Sequence, residues 1–135
     1  MAVPSIQPIC IRVNRRMPNA QEPQRGEIWW VNFEPVLGSE TNKTRPAAVV
    51  SGDAFGVLKV WLVVPLTGWK DRYDGKPWLV RVEATKGNGL QKESAADALA
   101  VRSVALVRFE KKLGHLSPLT LNEIAIAIAM VVEAI

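Results

Sequence analysis

The run Leu58-Lys59-Val60-Trp61-Leu62-Val63-Val64-Pro65-Leu66-Thr67 is apolar almost throughout and rich in branched side chains. A strand written this way does not alternate, so both its faces must be covered, which puts it at the centre of a sheet. Other short strand-like runs surround it. Glu27 to Phe33 is aromatic and branched and reads as a strand buried on both faces over its first half, with Trp29 and Trp30 assigned to the core. Pro46 to Ser51 is a second strand, with proline tolerated at its first position. Pro77 to Glu83 alternates Trp78, Val80 and Val82 against Leu79, Arg81 and Glu83, the pattern of a half-exposed strand. After a turn at Lys86-Gly87-Asn88-Gly89, one or two further strands fall between Asp97 and Val107. Only the end of the chain is helical. Ser117 can cap that helix, Pro118 suits its first position, and Leu119 to Ile135 follows. Several short strands and then one helix, with no β-α-β alternation, define a small, mostly antiparallel barrel or sandwich.

The chain has 135 residues, 48% of them hydrophobic, enough for one domain with its own core and no disulfide or structural metal. The net charge of +4 is a mild excess, compatible with a polyanionic partner but common in soluble proteins. One cysteine, Cys10, excludes an intramolecular disulfide and a cysteine-rich zinc site. One histidine, His115, excludes acid–base chemistry by an imidazole pair and reads as a surface residue near the helix start. Neither nucleotide-phosphate glycine motif is present. Residues 1–24 hold four prolines, three arginines and little periodicity, and read as a flexible extension before a single domain at 25–135. The apolar piece Ile9 to Val13 is too short for a signal-peptide core. The longest apolar run, Ile124 to Val132, falls well short of the roughly 20 residues a membrane span needs. A cytoplasmic protein without membrane contact is expected. The final helix is apolar nearly all round, whereas packing on one sheet needs only one stripe, so a second burial surface such as a subunit contact is expected.

Three places could carry chemistry. Glu34 to Thr44 is a loop longer than the usual ~4–6 residues, and such loops are often functional. It delivers Arg45 to the mouth of a strand stiffened by Pro46, where a guanidinium could grip phosphate, or could pair with Glu40 on the surface. Thr67 closes the central strand just before Gly68, either as a ligand-facing hydroxyl or as an ordinary turn residue. Trp69 beside Lys70 and Arg72 has the make-up of a stacking platform with charge, as single-strand nucleic-acid binders use.

At these residues the sequence resembles the MazF/PemK/Kid family of toxins from type II toxin–antitoxin pairs. Arg25-Gly26-Glu27-Ile28-Trp29-Trp30-Val31-Asn32-Phe33 is similar to the family's opening R-G-[DE]-[IV]-[WY]-x-[VA]-[DN]-[FL]. Pro35-Val36-Leu37-Gly38-Ser39-Glu40, followed by Arg45-Pro46, is similar to its P-x-x-G-S-E…R-P. Pro65-Leu66-Thr67, Ser94-Ala95-Ala96-Asp97 with Val101-Arg102-Ser103, and Lys112-Leu113-Gly114-His115-Leu116-Ser117 resemble its later blocks. Five ordered blocks cover residues 25–135 and are jointly specific.

The resemblance implies a mainly β fold, an SH3-like small antiparallel β-barrel with a C-terminal helix, forming a homodimer. It also implies sequence-specific cleavage of single-stranded RNA without metal or cofactor. In that chemistry the substrate's 2′-hydroxyl attacks the phosphorus, leaving a 2′,3′-cyclic phosphate and a 5′-hydroxyl. Carried over by position, Arg45 and Thr67 are the catalytic residues, and Ser39, Glu40 and Lys43 belong to the substrate-side loop; the stacking platform described above adds Trp69 and Lys70 as substrate-binding residues. An acidic antitoxin of the MazE type is the implied partner. Guanidinium stays protonated far above neutrality, so Arg45 is assigned charge stabilisation rather than proton transfer. Leu99-Ala100 depart from the family's pattern, which has an acid or aromatic and then Gln. Two other readings share the fold: a gyrase poison of the CcdB type, and an RNA-binding barrel with weak catalysis.

Overall fold

The computed structural model describes residues 22–34 and 43–135. Ser39 and Glu40, Cys10 and nearly all of the N-terminal extension lie outside the described residues. Among the described residues there are seven strands: β1 (Glu27–Asn32), β2 (Thr44–Val49), β3 (Val60–Gly68), β4 (Leu79–Val82), β5 (Ser94–Asp97), β6 (Arg102–Ala105) and β7 (Phe109–His115). One α-helix, α1 (Pro118–Val131), follows them, and short 3-10 turns fill several connections. All strand pairings are antiparallel.

The expected central strand is β3. One edge pairs with β2, from Ala47 opposite Pro65 to Val49 opposite Val63. The other edge is shared, by β6 along Val60 to Val63 and by β5 along Leu66 to Gly68. This explains the absence of polar alternation. Trp61 and Val63 bury into a core with Val31, Ala47, Val49 and Val104 on one face. Val64 and Leu66 bury into a second core on the other face, with Ile28, Ala48, Ala96 and the helix residues Leu121, Ile124 and Ala127. Full burial of one such large side chain contributes roughly 1.5–3 kcal/mol.

The strand order β4-β5-β3-β2-β1-β7, with β6 on β3, is an open path. Its ends are joined by the loop between β4 and β5 instead of by a ladder. His115 N–H donates to the Gly87 carbonyl at 2.9 Å. Asn88, a buried residue of this loop, ties it internally: its Oδ1 accepts from the amides of Thr85 and Leu90 at 3.0 Å, and its Nδ2 donates to the Glu83 carbonyl at 2.7 Å.

Several sequence expectations need correction. β2 begins at Thr44, two residues earlier than read, so Arg45 lies within the strand. β3 starts at Val60, because Leu58 ends a 3-10 turn and Lys59 turns the chain with φ of 57°. The region from Asp97 to Val107 holds one strand, β6, within the expected one or two, whereas β5 before it and β7 after it were not foreseen. The helix has the expected Ser117 cap, whose Oγ accepts from the Thr120 amide at 3.2 Å, but ends at Val131 rather than Ile135. Trp29 and Trp30 are both half-buried: Trp29 packs against the core around Trp61 and Val63 as expected, whereas Trp30 does not.

Candidate active site

The opening motif is structural before it is functional. Glu27 is buried, and its Oε1 accepts from the Gln24 amide at 2.8 Å and from the Trp29 indole at 3.0 Å. Its Oε2 meets Lys112 Nζ of β7 at 2.8 Å. The Arg25 amide donates to Asp53 at 2.7 Å. Buried polar groups cost free energy unless partnered, and here each contact also fixes how β1 enters the sheet.

The candidate site forms where β2 and β3 part. Their ladder ends at Ala47 and Pro65, and proline has no N–H to extend it. Continuing that register by two residues sets Arg45 across from Thr67. Both line a cleft of about 550 Å³ together with Gly68, Trp69, Lys70, Tyr73, Lys92 and Glu93. Both also line an adjoining cleft of about 630 Å³ that reaches Trp30, Leu90, Lys111 and Leu113. Arg45 is exposed and Thr67 half-buried, so a polymer can reach them from solvent.

Charge around the cleft is mostly positive. Arg45, Lys70 and Lys92 line its wall, and Lys111 stands in the adjoining one. Gly68 makes room for Lys92, whose Cε and Nζ would lie 3.1 Å from any β-carbon there. The one acid among the described lining residues, Glu93, accepts from Arg81 Nη2 at 2.6 Å. That hydrogen bond, outweighing partial desolvation, raises the Arg81 pKa above its ordinary value, with help from the surrounding acids. Arg81 also stacks 4.8 Å from the centre of the Trp69 ring, so one face of the expected platform is already occupied. Tyr73 meets Trp69 edge-on at 5.9 Å and 85°.

Of the residues singled out in the sequence, the fold brings Arg45, Thr67, Trp69 and Lys70 into one cleft. Lys43 is not among its lining residues. It precedes β2 as an exposed residue whose carbonyl accepts from the Phe33 amide at 3.3 Å. Leu99 sits exposed on a 3-10 turn capped by Asp97. His115 is exposed at the end of β7 and lines a separate cleft with Glu27 and Lys112. Trp30, Lys92 and Tyr73 were missed. Trp30 had a signal, since period 2 puts it on the face of Ile28 and toward Leu66, beyond the cover of the helix. Lys92 and Tyr73 had none, because turns and loops carry no periodicity. Among the described residues, no three His, Cys, Asp or Glu side chains converge as a metal site would require, and no helix is long and apolar enough to cross a membrane.

Residues 24–132 match the family described as PemK-like, MazF-like toxin of type II toxin-antitoxin system. The chain belongs to this family. Among the family's named proteins, Endoribonuclease MazF9 of Mycobacterium tuberculosis (strain ATCC 25618 / H37Rv) is 36% identical over 107 residues, 75% of this chain and 88% of that protein. Endoribonuclease PemK of Escherichia coli is 44% identical over a shorter stretch of 45 residues, 33% of this chain and 34% of that protein. The crystal structure of MazF (Form-I) from Deinococcus radiodurans superposes with a TM-score of 0.67 at 25% identity, covering 83% of this chain and 97% of that one. A mycobacterial endoribonuclease in complex with its cognate antitoxin shares the fold, with a TM-score of 0.64 at 20% identity over 82% of this chain and 95% of that one. The mainly β fold with a C-terminal helix is therefore that of the MazF toxins.

Proposed function

We propose that this MazF-family toxin is an endoribonuclease acting on single-stranded RNA in the cytoplasm, with Arg45 and Thr67 as its catalytic residues. The observation that carries the reading is their convergence. They are far apart in sequence, yet they share the wall of one basic, solvent-open cleft. The relatives named as endoribonucleases favour this reading over a gyrase poison on the same fold.

The substrate supplies its own nucleophile, the 2′-hydroxyl next to the scissile phosphate. Negative charge grows on the phosphorane oxygens as that oxygen attacks. The planar fork of Arg45 can meet two of them at once, and the Thr67 hydroxyl can donate a further hydrogen bond. Lys70 and Lys92 draw the strand into the cleft, and Trp69 offers an aromatic surface to a base. Lys43, with Ser39 and Glu40, belongs to the loop on the substrate side. The active unit is a homodimer, and an acidic antitoxin blocks it by lying along the basic cleft.

The test is a mixed RNA pool treated with pure protein, with the fragment ends sequenced. Fragments ending in 2′,3′-cyclic phosphate and 5′-hydroxyl, at a shared short motif, are expected. Chelator should leave the rate unchanged, and one 2′-deoxy substitution at the scissile nucleotide should abolish cleavage there. Intact RNA, or equal cleavage of the 2′-deoxy substrate, overturns the reading.

A further inference from the structure

Arg45 and Thr67 leave the reaction one proton short. When the P–O5′ bond breaks, its electron pair stays on the departing oxygen, which must gain a proton. Guanidinium does not release one near neutrality, and an aliphatic hydroxyl is too weak an acid. The lone histidine lines another cleft. Glu93 is engaged as an acceptor by Arg81.

Tyr73, the only tyrosine in the chain, stands at the right place. It lines the cleft that holds Arg45, and it also lines the next one, with Arg72, Lys76, Trp78 and Asp97. Thr67 and Tyr73 are the residues these two clefts share, so the phenol borders any strand passing from one to the other. Its position is held by several contacts. The Tyr73 amide donates to the Lys70 carbonyl at 2.8 Å, the ring packs edge-on with Trp69, and the Arg72 guanidinium lies 5.4 Å from the ring centre. Lys70 and Lys92 carry acidic protons too, but on flexible stems, and losing one would remove positive charge that the phosphorane needs.

We propose that Tyr73 is a further catalytic residue, the general acid that protonates the leaving 5′-oxygen. This rests on the ribonuclease reading above. The 2′-oxygen bonds to phosphorus as its proton passes to a buffer base. The P–O5′ bond then breaks, the Tyr73 O–H proton moves to O5′, and the phenolate is reprotonated from solvent. The surroundings suit that task. Hydrogen bonding from Arg72 lowers the phenol pKa from its ordinary value of 10.0, and the Thr67 hydroxyl and the charges of Lys70 and Arg72 add to this against a desolvation cost. Arg45, Lys92 and Lys76 are the other cations lining the two clefts, and Glu93 and Asp97 the acids.

The experiment compares wild type and Tyr73→Phe on two versions of one RNA. One is normal, and the other carries a 5′-bridging sulfur at the scissile bond, a leaving group that needs no proton. Tyr73→Phe should slow the normal substrate by about 10²-fold or more, the range for a lost general acid, and cut the sulfur substrate at the wild-type rate. The wild-type kcat/KM should fall on the alkaline side as the phenol ionises, and Tyr73→Phe should lack that limb. Because the chain has one tyrosine, biosynthetic incorporation of ring-fluorinated tyrosine changes Tyr73 alone and should move the limb to lower pH. Equal losses on both substrates, or a limb unmoved by fluorination, overturn the assignment. A wild type that cuts while Tyr73→Phe is unimpaired removes Tyr73 only; a wild type that cuts neither RNA removes the ribonuclease reading as well.

Discussion

Arg45 is an exposed residue on a strand whose buried neighbours, Ala47, Ala48 and Val49, anchor it in both cores. Removing its side chain therefore leaves the fold intact, and the effect falls on chemistry. Arg45→Ala should lower the cleavage rate by about 10²-fold or more, the scale for losing a principal charge-stabilising donor. Arg45→Lys should recover little, since an ammonium cannot reproduce the bidentate fork. Thr67→Ala should be damaging and Thr67→Ser nearly harmless, and circular dichroism should show all four variants folded. These two residues were legible because each closes or opens a run whose pattern is unambiguous: an apolar strand ending at Thr67, and a proline-stiffened strand starting beside Arg45. Trp30 was misassigned for a physical reason. An indole in a strand looks like core in any one-dimensional pattern, and only the position of the helix decides that this face of β1 runs out from under cover. Tyr73 and Lys92 depend on turns, where neither period nor propensity points anywhere.

At the scale of elements, the expected barrel is completed by backbone contact between a loop and β7. The turn Lys86-Gly87-Asn88-Gly89 was legible, but not that it would press against β7. A β-carbon on Gly114 would lie 2.2 Å from the Gly87 carbonyl oxygen, and one on Gly89 would lie 2.3 Å from that of Leu113. Gly114→Ala and Gly89→Ala should each cost about 1–3 kcal/mol, the usual toll of overpacking, read as a lower midpoint of thermal or denaturant unfolding. Gly75→Ala is the control: its φ is also positive, at 78°, but nothing lies within 4 Å of the added carbon, so its loss should be smaller. Equal losses at Gly75 and Gly89, with Gly114, whose φ is not positive, left unaffected, would mean that backbone conformation, rather than the close approach, governs stability here. β7 escaped the sequence because Phe109-Glu110-Lys111-Lys112 spends its charges along an edge strand, and its pairing with β1 carries two register shifts. The helix was legible at its start, where Ser117 and Pro118 act locally. It was not legible at its end, where the apolar run continues to Ile135 without a stop signal.

For the whole molecule, the surplus of apolar surface is the property that most needs a partner. The sequence placed that surplus on the helix, and Leu119, Ile126 and Met130 are indeed exposed on α1. A second zone was hidden in the central strand. Val60 and Leu62 lie outside the helix-covered part of β3 and are 39% and 44% exposed. Phe55, Val57 and Leu58 on the turn before β3, and Leu106 and Val107 just after its neighbour β6, are exposed as well. The Leu106 amide donates to the Lys59 carbonyl at 3.3 Å, which joins the end of β6 to the start of β3. Apolar groups concentrated on one edge of a small domain mark an interface, and a symmetric dimer buries such a patch against its own copy. Sedimentation of the wild type should give a dimer at micromolar concentration. Leu62→Asp should give a folded monomer, because a carboxylate facing its own symmetry mate is buried without a counter-charge. Ile126→Asp, on the exposed face of α1, should leave the dimer intact. If Leu62→Asp stays dimeric while Ile126→Asp dissociates, the helix holds the pair together and the β3–β6 edge awaits something else. A wild-type monomer that cleaves RNA at full rate would remove the dimer from the mechanism altogether.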